Sequence, residues 1–196
     1  MSNQSTTKSS KNRSSIYLIA SYAIFVALIC IFAPMSVPIG PIPISLTNLI
    51  LYFSIFILAT KGSLASYIVY LLLGAVGLPV FSGYAGGVAK LAGPTGGYLI
   101  GFIPMIIIMG IVYEKTLSLD KKVHLALTFV GMIVGTLVAY ALGTVWFVLQ
   151  MDCTVAYALT VCVFPFIPFD IAKMVIAILL GSAVRTPLLK QGLIEK

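Results

Sequence analysis

Charge is what this sequence lacks. Only 9% of its 196 residues are Asp, Glu, Lys or Arg, against roughly a quarter in a soluble domain. With 60% of the residues hydrophobic, a soluble fold of this length cannot hide its apolar surface, so the bilayer is the solvent. There are five acidic residues and one histidine. No metal cluster, Ser–His pair or paired intramembrane carboxylate can be assembled from them, which argues against an enzyme. There is no GxxxxGK[ST] pattern, so the chain binds no nucleotide in a phosphate loop and does not drive transport by hydrolysing ATP itself. Three cysteines give no disulfide framework. Cys30 and Cys162 lie in apolar runs and Cys153 in a loop, where thiols act as small core fillers. No cofactor is expected.

What is present is a series of long apolar runs. They predict an all-α, polytopic membrane protein of six helices. The expected spans are Ile16–Ala33, Ser45–Thr60, Ser63–Leu78, Gly97–Tyr113, Val123–Leu149 and Pro168–Leu188, with Lys61-Gly62 as a tight turn. Residues 1–14, rich in Ser, Thr, Asn and Lys, are read as a disordered cytoplasmic tail. Residues 15–196 are read as one transmembrane domain. The first run is longer than a signal-peptide core, and no A-x-A site follows it, so it is taken as a retained helix.

The net charge of +7 does not form one patch, and nucleic acid is not an expected partner. If six helices alternate, Lys8, Lys11, Arg13, Lys61, Lys115, Lys121, Lys122, Arg185, Lys190 and Lys196 fall on one side. Lys90 alone falls in a loop on the other, and Lys173 lies within the last helix. This asymmetry places both termini in the cytoplasm.

The outer connections carry most of the prolines and glycine clusters, in Pro34–Pro43, Pro79–Gly97 and Asp152–Pro168. Irregular backbone at membrane depth is tolerated only when it is buried in protein or lines a cavity. The expected shape is therefore a cup that opens outward; ordinary surface loops are the alternative.

Asp170 and Lys173 stand three apart, on one helix face. Pro168 opens that helix, so Asp170 falls in its first turn, where the helix dipole favours a carboxylate. Each charge would cost a few kcal/mol if it faced lipid near the bilayer centre. Both should point inward, as ligand contacts or as an ion pair that joins the helix to the bundle. The stretch from Ser82 to Tyr98 is the second candidate. Tyr84, Gly86, Gly87, Gly93, Thr95, Gly96 and Tyr98 offer backbone that a ligand can approach closely, or they form a tight re-entrant turn. The third is the proline-stiffened segment with Ile39, Gly40, Pro41 and Ile42, a flap over a site or a rigid connector. Asn48 follows it, with both a donor and an acceptor. Trp146 either stacks on a ligand ring or anchors at the interface. Phe169 flanks the Asp–Lys pair. On the fifth helix, Gly131, Gly135, Ala139 and Gly143 form a small-residue stripe suited to internal packing. Ala23 and Ala27 form a shorter patch on the first helix, for internal packing or for docking. His124 falls at a cytoplasmic helix start, where a solvated role is expected.

These residues resemble the BioY family, the biotin-specific S components of energy-coupling factor transporters. The likeness runs from Ala20 to Arg185. It is strongest at Pro41-Ile42-Pro43-Ile44-Ser45-Leu46-Thr47-Asn48, at Gly93-Pro94-Thr95-Gly96-Gly97-Tyr98-Leu99-Ile100-Gly101-Phe102 and at Pro168-Phe169-Asp170-Ile171-Ala172-Lys173. The resemblance implies a six-helix S-component bundle with biotin held near the outer face. Asp170 and Lys173 match the family's polar pair, suited to the ureido end of biotin. Val37–Ser45 matches its lid. Ala23 and Ala27 match an A-x-x-x-A surface for the transmembrane coupling protein, which works with a pair of ABC-type ATPases. Other S components keep the scaffold and change the vitamin, so the ligand rests on the resemblance. Lys90 is a candidate for the ligand carboxylate by charge alone.

Overall fold

The computed structural model describes residues 3–38 and 42–192, with side chains from residue 16 onward. The helices are α1 (Asn3–Phe32), α2 (Thr47–Ala75), α3 (Val88–Ala92), α4 (Gly96–Thr116), α5 (Lys121–Met151), α6 (Val155–Cys162) and α7 (Ile167–Lys190). Among the described residues β-structure is limited to two isolated antiparallel bridges, Val37 with Ile44 and Phe81 with Ala85. Helix α1 begins at Asn3, not at Ile16, and its backbone continues through the polar stretch read as a disordered tail. That stretch has no proline or glycine to stop a helix.

Helix α2 is two helices. Ala59 has φ 54° and ψ −167°, which breaks the helix. Ser54 and Ser63, nine apart, share a hydrogen bond of 2.8 Å. In a continuous helix they would be about 13.5 Å apart along the axis, so the chain reverses at Ala59. The arms are residues 47–58 and 60–75, which restores the expected pair of helices. The reversal falls two residues before the predicted Lys61-Gly62 turn. Gly62 is glycine for a different reason: a Cβ there would sit 2.5 Å from Cε1 of Tyr22 on α1.

The break exposes helix ends, and neighbouring helices satisfy them. The Thr60 N–H donates to Oε1 of Glu114 on α4 at 2.8 Å. The Phe56 carbonyl accepts from Nη1 of Arg185 on α7 at 2.8 Å. A carboxylate thus meets the start of the second arm and a guanidinium the end of the first, each the charge that the helix dipole favours.

The bundle comprises α1, the two arms of α2, α4, α5 and α7. Its core includes Leu51, Tyr52, Ile55, Phe56, Tyr67, Met105, Ile106, Tyr113 and Met132. Buried tyrosines join the helices through their hydroxyls. Tyr52 pairs with Thr136 on α5 at 2.6 Å, and Tyr67 donates to the Leu99 carbonyl on α4 at 2.7 Å. The small-residue stripe of α5 packs internally, against α4. A Cβ at Gly135 would fall 2.9 Å from the Met105 carbonyl oxygen, Gly101 lies against Ala139, and the Tyr98 ring occupies the space beside Gly143. Large apolar side chains such as Leu72, Leu137, Val145 and Leu179 stay exposed, as on a surface solvated by lipid. Helices α4, α5 and α7 are each long and apolar enough to cross a membrane, whereas α2 reaches that length only with its two arms counted together.

The first arm of α2 is short. Its twelve residues extend about 18 Å, against roughly 30 Å of hydrocarbon. It is therefore too short to cross the hydrocarbon alone. Loop, short helix and glycine turn fill the space above it, and the cavity described next occupies this recess.

Candidate ligand-binding site

The recess is lined by Asn48 from α2, Thr95 and Tyr98 from the start of α4, Thr136 and Tyr140 from α5, and Asp170 and Lys173 from α7. Ile42 closes it on the loop side, and Cys162 and Phe166 border it near α6. The cavity is partly open and about 70 Å³ in volume.

Pro168 stands in the first turn of α7, and Asp170 shares that turn. Lys173 lies one turn further on. Asp170 is 4% exposed, Asn48 6% and Lys173 7%, so water cannot satisfy these groups and the protein must. Lys173 Nζ lies 3.1 Å from Asp170 Oδ1. The ammonium also donates to the Ser45 carbonyl at 2.8 Å and to Asn48 Oδ1 at 3.0 Å. An ammonium has three hydrogens and no acceptor, so all three are used, and the Asn48 oxygen is fixed toward Lys173. The Asn48 amide nitrogen then faces Asp170 and donates to Oδ1 at 2.7 Å. The Tyr140 hydroxyl donates to Asp170 Oδ2 at 2.6 Å.

These bonds decide what the group can offer. A carboxylate has about four acceptor positions and a primary amide two hydrogens. Three acceptor positions of Asp170 are occupied, which leaves one on Oδ2. The second hydrogen of Asn48 Nδ2 faces the Tyr52 hydroxyl. The ion pair is neutral as a unit, so it has no net charge to attract an ion. The arrangement suits a neutral group that carries an N–H donor beside a carbonyl acceptor.

Of the residues singled out from sequence, Asp170, Lys173, Asn48, Thr95, Tyr98 and Ile42 come together around this cavity. Ile39, Gly40 and Pro41 lie outside the described residues. Tyr84, Gly86, Gly87, Gly93, Gly96, Trp146 and Phe169 do not line this cavity. Tyr84 and Phe169 are 66% and 49% exposed. They border an outer groove of about 700 Å³, which Lys173 also reaches. The indole N–H of Trp146 donates to the Gly93 carbonyl at 3.0 Å, and its Cβ packs where a side chain at Gly97 would be. Trp146 thus pins the Gly-Pro-Thr-Gly-Gly turn and does not stack in the void. A Cβ at Gly96 would strike the Leu91 carbonyl, and one at Gly86 the Leu78 carbonyl. Those glycines permit tight turns, while Thr95 and Tyr98 present side chains. Lys90 is absent from the lining of both cavities.

Sequence reasoning missed Tyr140, Thr136 and Cys162. Thr136, Tyr140 and Thr144 recur every four residues beside the glycine stripe, a polar line along an apolar helix that could have marked the cavity face. Ala23 and Ala27 are exposed on α1, whereas Phe25 and Ile29 are buried.

Comparison with known proteins places this geometry among relatives. The sequence model of the BioY family matches residues 3–190. A biotin transporter BioY of Thermotoga maritima is 39% identical over 159 residues, covering 81% of this chain and 89% of that protein. A probable biotin transporter BioY of Pyrococcus horikoshii is 35% identical over 160 residues, covering 82% and 91%. Among solved structures, the 2.1 Å crystal structure of an S-component for biotin from an ECF-type ABC transporter superposes with a TM-score of 0.74. It is 27% identical and covers 95% of each chain.

Proposed function

The chain belongs to the BioY family, and from that premise we propose that it captures biotin as the S component of an energy-coupling factor transporter. The carrying observation is the buried Asp170–Lys173–Asn48 group, neutral overall, with one acceptor position left over and one amide hydrogen approached only by the Tyr52 hydroxyl. The ureido ring of biotin has N–H donors beside a carbonyl acceptor, and it is uncharged. One N–H reaches Asp170 Oδ2, and the carbonyl accepts from Asn48 Nδ2. Lys173 acts as a positioning residue: it compensates the carboxylate and orients the amide. Tyr98, Phe102 and Phe166 enclose the apolar part of the ligand.

The void of about 70 Å³ requires the loop between α1 and α2 to shift as biotin seats. That loop, Val37–Ser45, serves as the lid. The single domain from residue 15 lies in the cell membrane with both termini cytoplasmic, because ten basic residues gather on one side. Ala23 and Ala27 form the docking face for the transmembrane coupling protein, and ABC-type ATPases supply the energy.

Calorimetry of the detergent-purified protein against biotin, thiamine and riboflavin tests this function. Biotin alone should bind tightly. Tight binding of another vitamin, with none of biotin, would overturn the assignment.

A further inference from the structure

Tyr70, in the second arm of α2, also lines the ligand cavity. It is fully buried, and its hydroxyl makes no well-formed hydrogen bond among the described residues. It faces the Thr47 side chain, but Thr47 Oγ1 is paired with Ser45 Oγ at 3.0 Å. The other hydroxyls deep in the cavity are engaged. Tyr98 pairs with Thr144, Thr136 donates to the Met132 carbonyl, and Tyr140 donates to Asp170. A buried hydroxyl without a partner is unfavourable, so this one is kept for something other than packing.

Neighbouring rings hold the phenol in place. Phe81 meets it edge-on with centroids 5.5 Å apart, and Tyr67 lies at 5.6 Å. Phe81 is itself seated. A Cβ at Gly74 would strike its ring, and its N–H donates to the Ala85 carbonyl at 2.9 Å. Ser82, next in the chain, lines the same cavity as Tyr70. The packing of Phe81 on Tyr70 thus brings a second hydroxyl, from the glycine-rich segment, to the ligand.

With biotin as the ligand, the reading on which this rests, the ureido ring occupies Asp170 and Asn48. The remaining acceptors of biotin are a thioether sulfur, which is weak, and the carboxylate of its tail. Lys173 has all three hydrogens in use, and Lys90 lines neither this cavity nor the outer groove. We propose that the Tyr70 hydroxyl, together with Ser82, receives the tail carboxylate. The charge of the ligand is then met by neutral donors and not by an ammonium. A phenol that donates to a carboxylate makes a short, strong hydrogen bond.

The test is calorimetry of biotin and of biotinol, whose tail ends in a hydroxymethyl group, on the unsubstituted chain and on Tyr70→Phe. The substitution keeps the ring and its neighbours, and thermal unfolding checks that the fold is retained. Biotin affinity should fall about tenfold, and biotinol affinity by less than about twofold. Ser82→Ala should lower biotin affinity several-fold and spare biotinol in the same way. Two results would overturn the proposal: biotin affinity unchanged in Tyr70→Phe, or equal losses for the two compounds, which would tie the hydroxyl to the shape of the pocket. Failure of the functional reading looks different. The unsubstituted chain would then bind neither compound, and the assignment of Tyr70 would fall with it.

Discussion

The Asn48 amide reaches the Asp170 carboxylate at 2.7 Å across 122 residues of chain. Neither residue works without Lys173. Its ammonium turns the amide oxygen toward itself and leaves the amide nitrogen for the carboxylate. Recognition by this group therefore depends on three side chains from two helices, with Tyr140 of a third helix holding the other carboxylate oxygen.

Removing the cation should cost stability as well as binding. Lys173→Met strands a buried carboxylate and leaves the Ser45 carbonyl and the Asn48 oxygen unpaired. Breaking one side of a buried pair costs about 3–5 kcal/mol. The expected outcome is a lower melting temperature in detergent and loss of biotin binding. The double variant Asp170→Asn/Lys173→Met should regain much of the melting temperature and none of the binding. Thermal unfolding combined with calorimetry checks both.

Tyr140→Phe removes one charge-assisted hydrogen bond and little volume. Such a bond is worth about 1.5–3 kcal/mol. Biotin affinity should fall at least about tenfold, with expression and helicity unchanged. Isothermal titration measures it.

The packing of α4 on α5 leaves little room for added carbon. At Gly135 a methyl group would meet the backbone oxygen of Met105, which a side-chain rotation cannot relieve. Gly135→Ala should lower stability by about 1–3 kcal/mol. At Gly131 a Cβ would meet only the Val112 side chain, so Gly131→Ala should be milder. Paired thermal melts in one detergent compare the two.

Trp146→Phe keeps an aromatic ring and removes the hydrogen bond to the Gly93 carbonyl. The turn that carries Thr95 and Tyr98 should loosen. Biotin affinity should fall several-fold, about 1 kcal/mol for a neutral hydrogen bond, although Trp146 does not border the void. Calorimetry reads the affinity, and hydrogen exchange of the turn amides should rise with it.

The sequence carried the architecture well where one local rule decides. Hydropathy located the helices, and the three-residue spacing of Asp170 and Lys173 put both charges on one face. The reversal after the first arm of α2 was placed two residues late because glycine has two uses. At Gly62 it admits the Tyr22 ring, while the bend falls on Ala59, held from outside by Glu114 and Arg185. No local pattern encodes such tertiary capping. Glycines 86, 93 and 96 allow two readings, ligand approach or a tight turn, because close approach to backbone and close approach to a ligand look alike in sequence. Tyr140 was hidden because a single hydroxyl on an apolar helix gives no signal until Thr136 and Thr144 are seen to share its face.

The most direct measurement compares desthiobiotin, which keeps the ureido ring, with diaminobiotin, which lacks the ureido carbonyl, as competitors for the biotin site of the purified protein. If Asn48 and Asp170 read the ureido group, desthiobiotin should compete within about tenfold of biotin, and diaminobiotin should be weaker by about 100-fold or more. Equal competition by the two compounds would contradict the assignment of the ureido ring to this buried group.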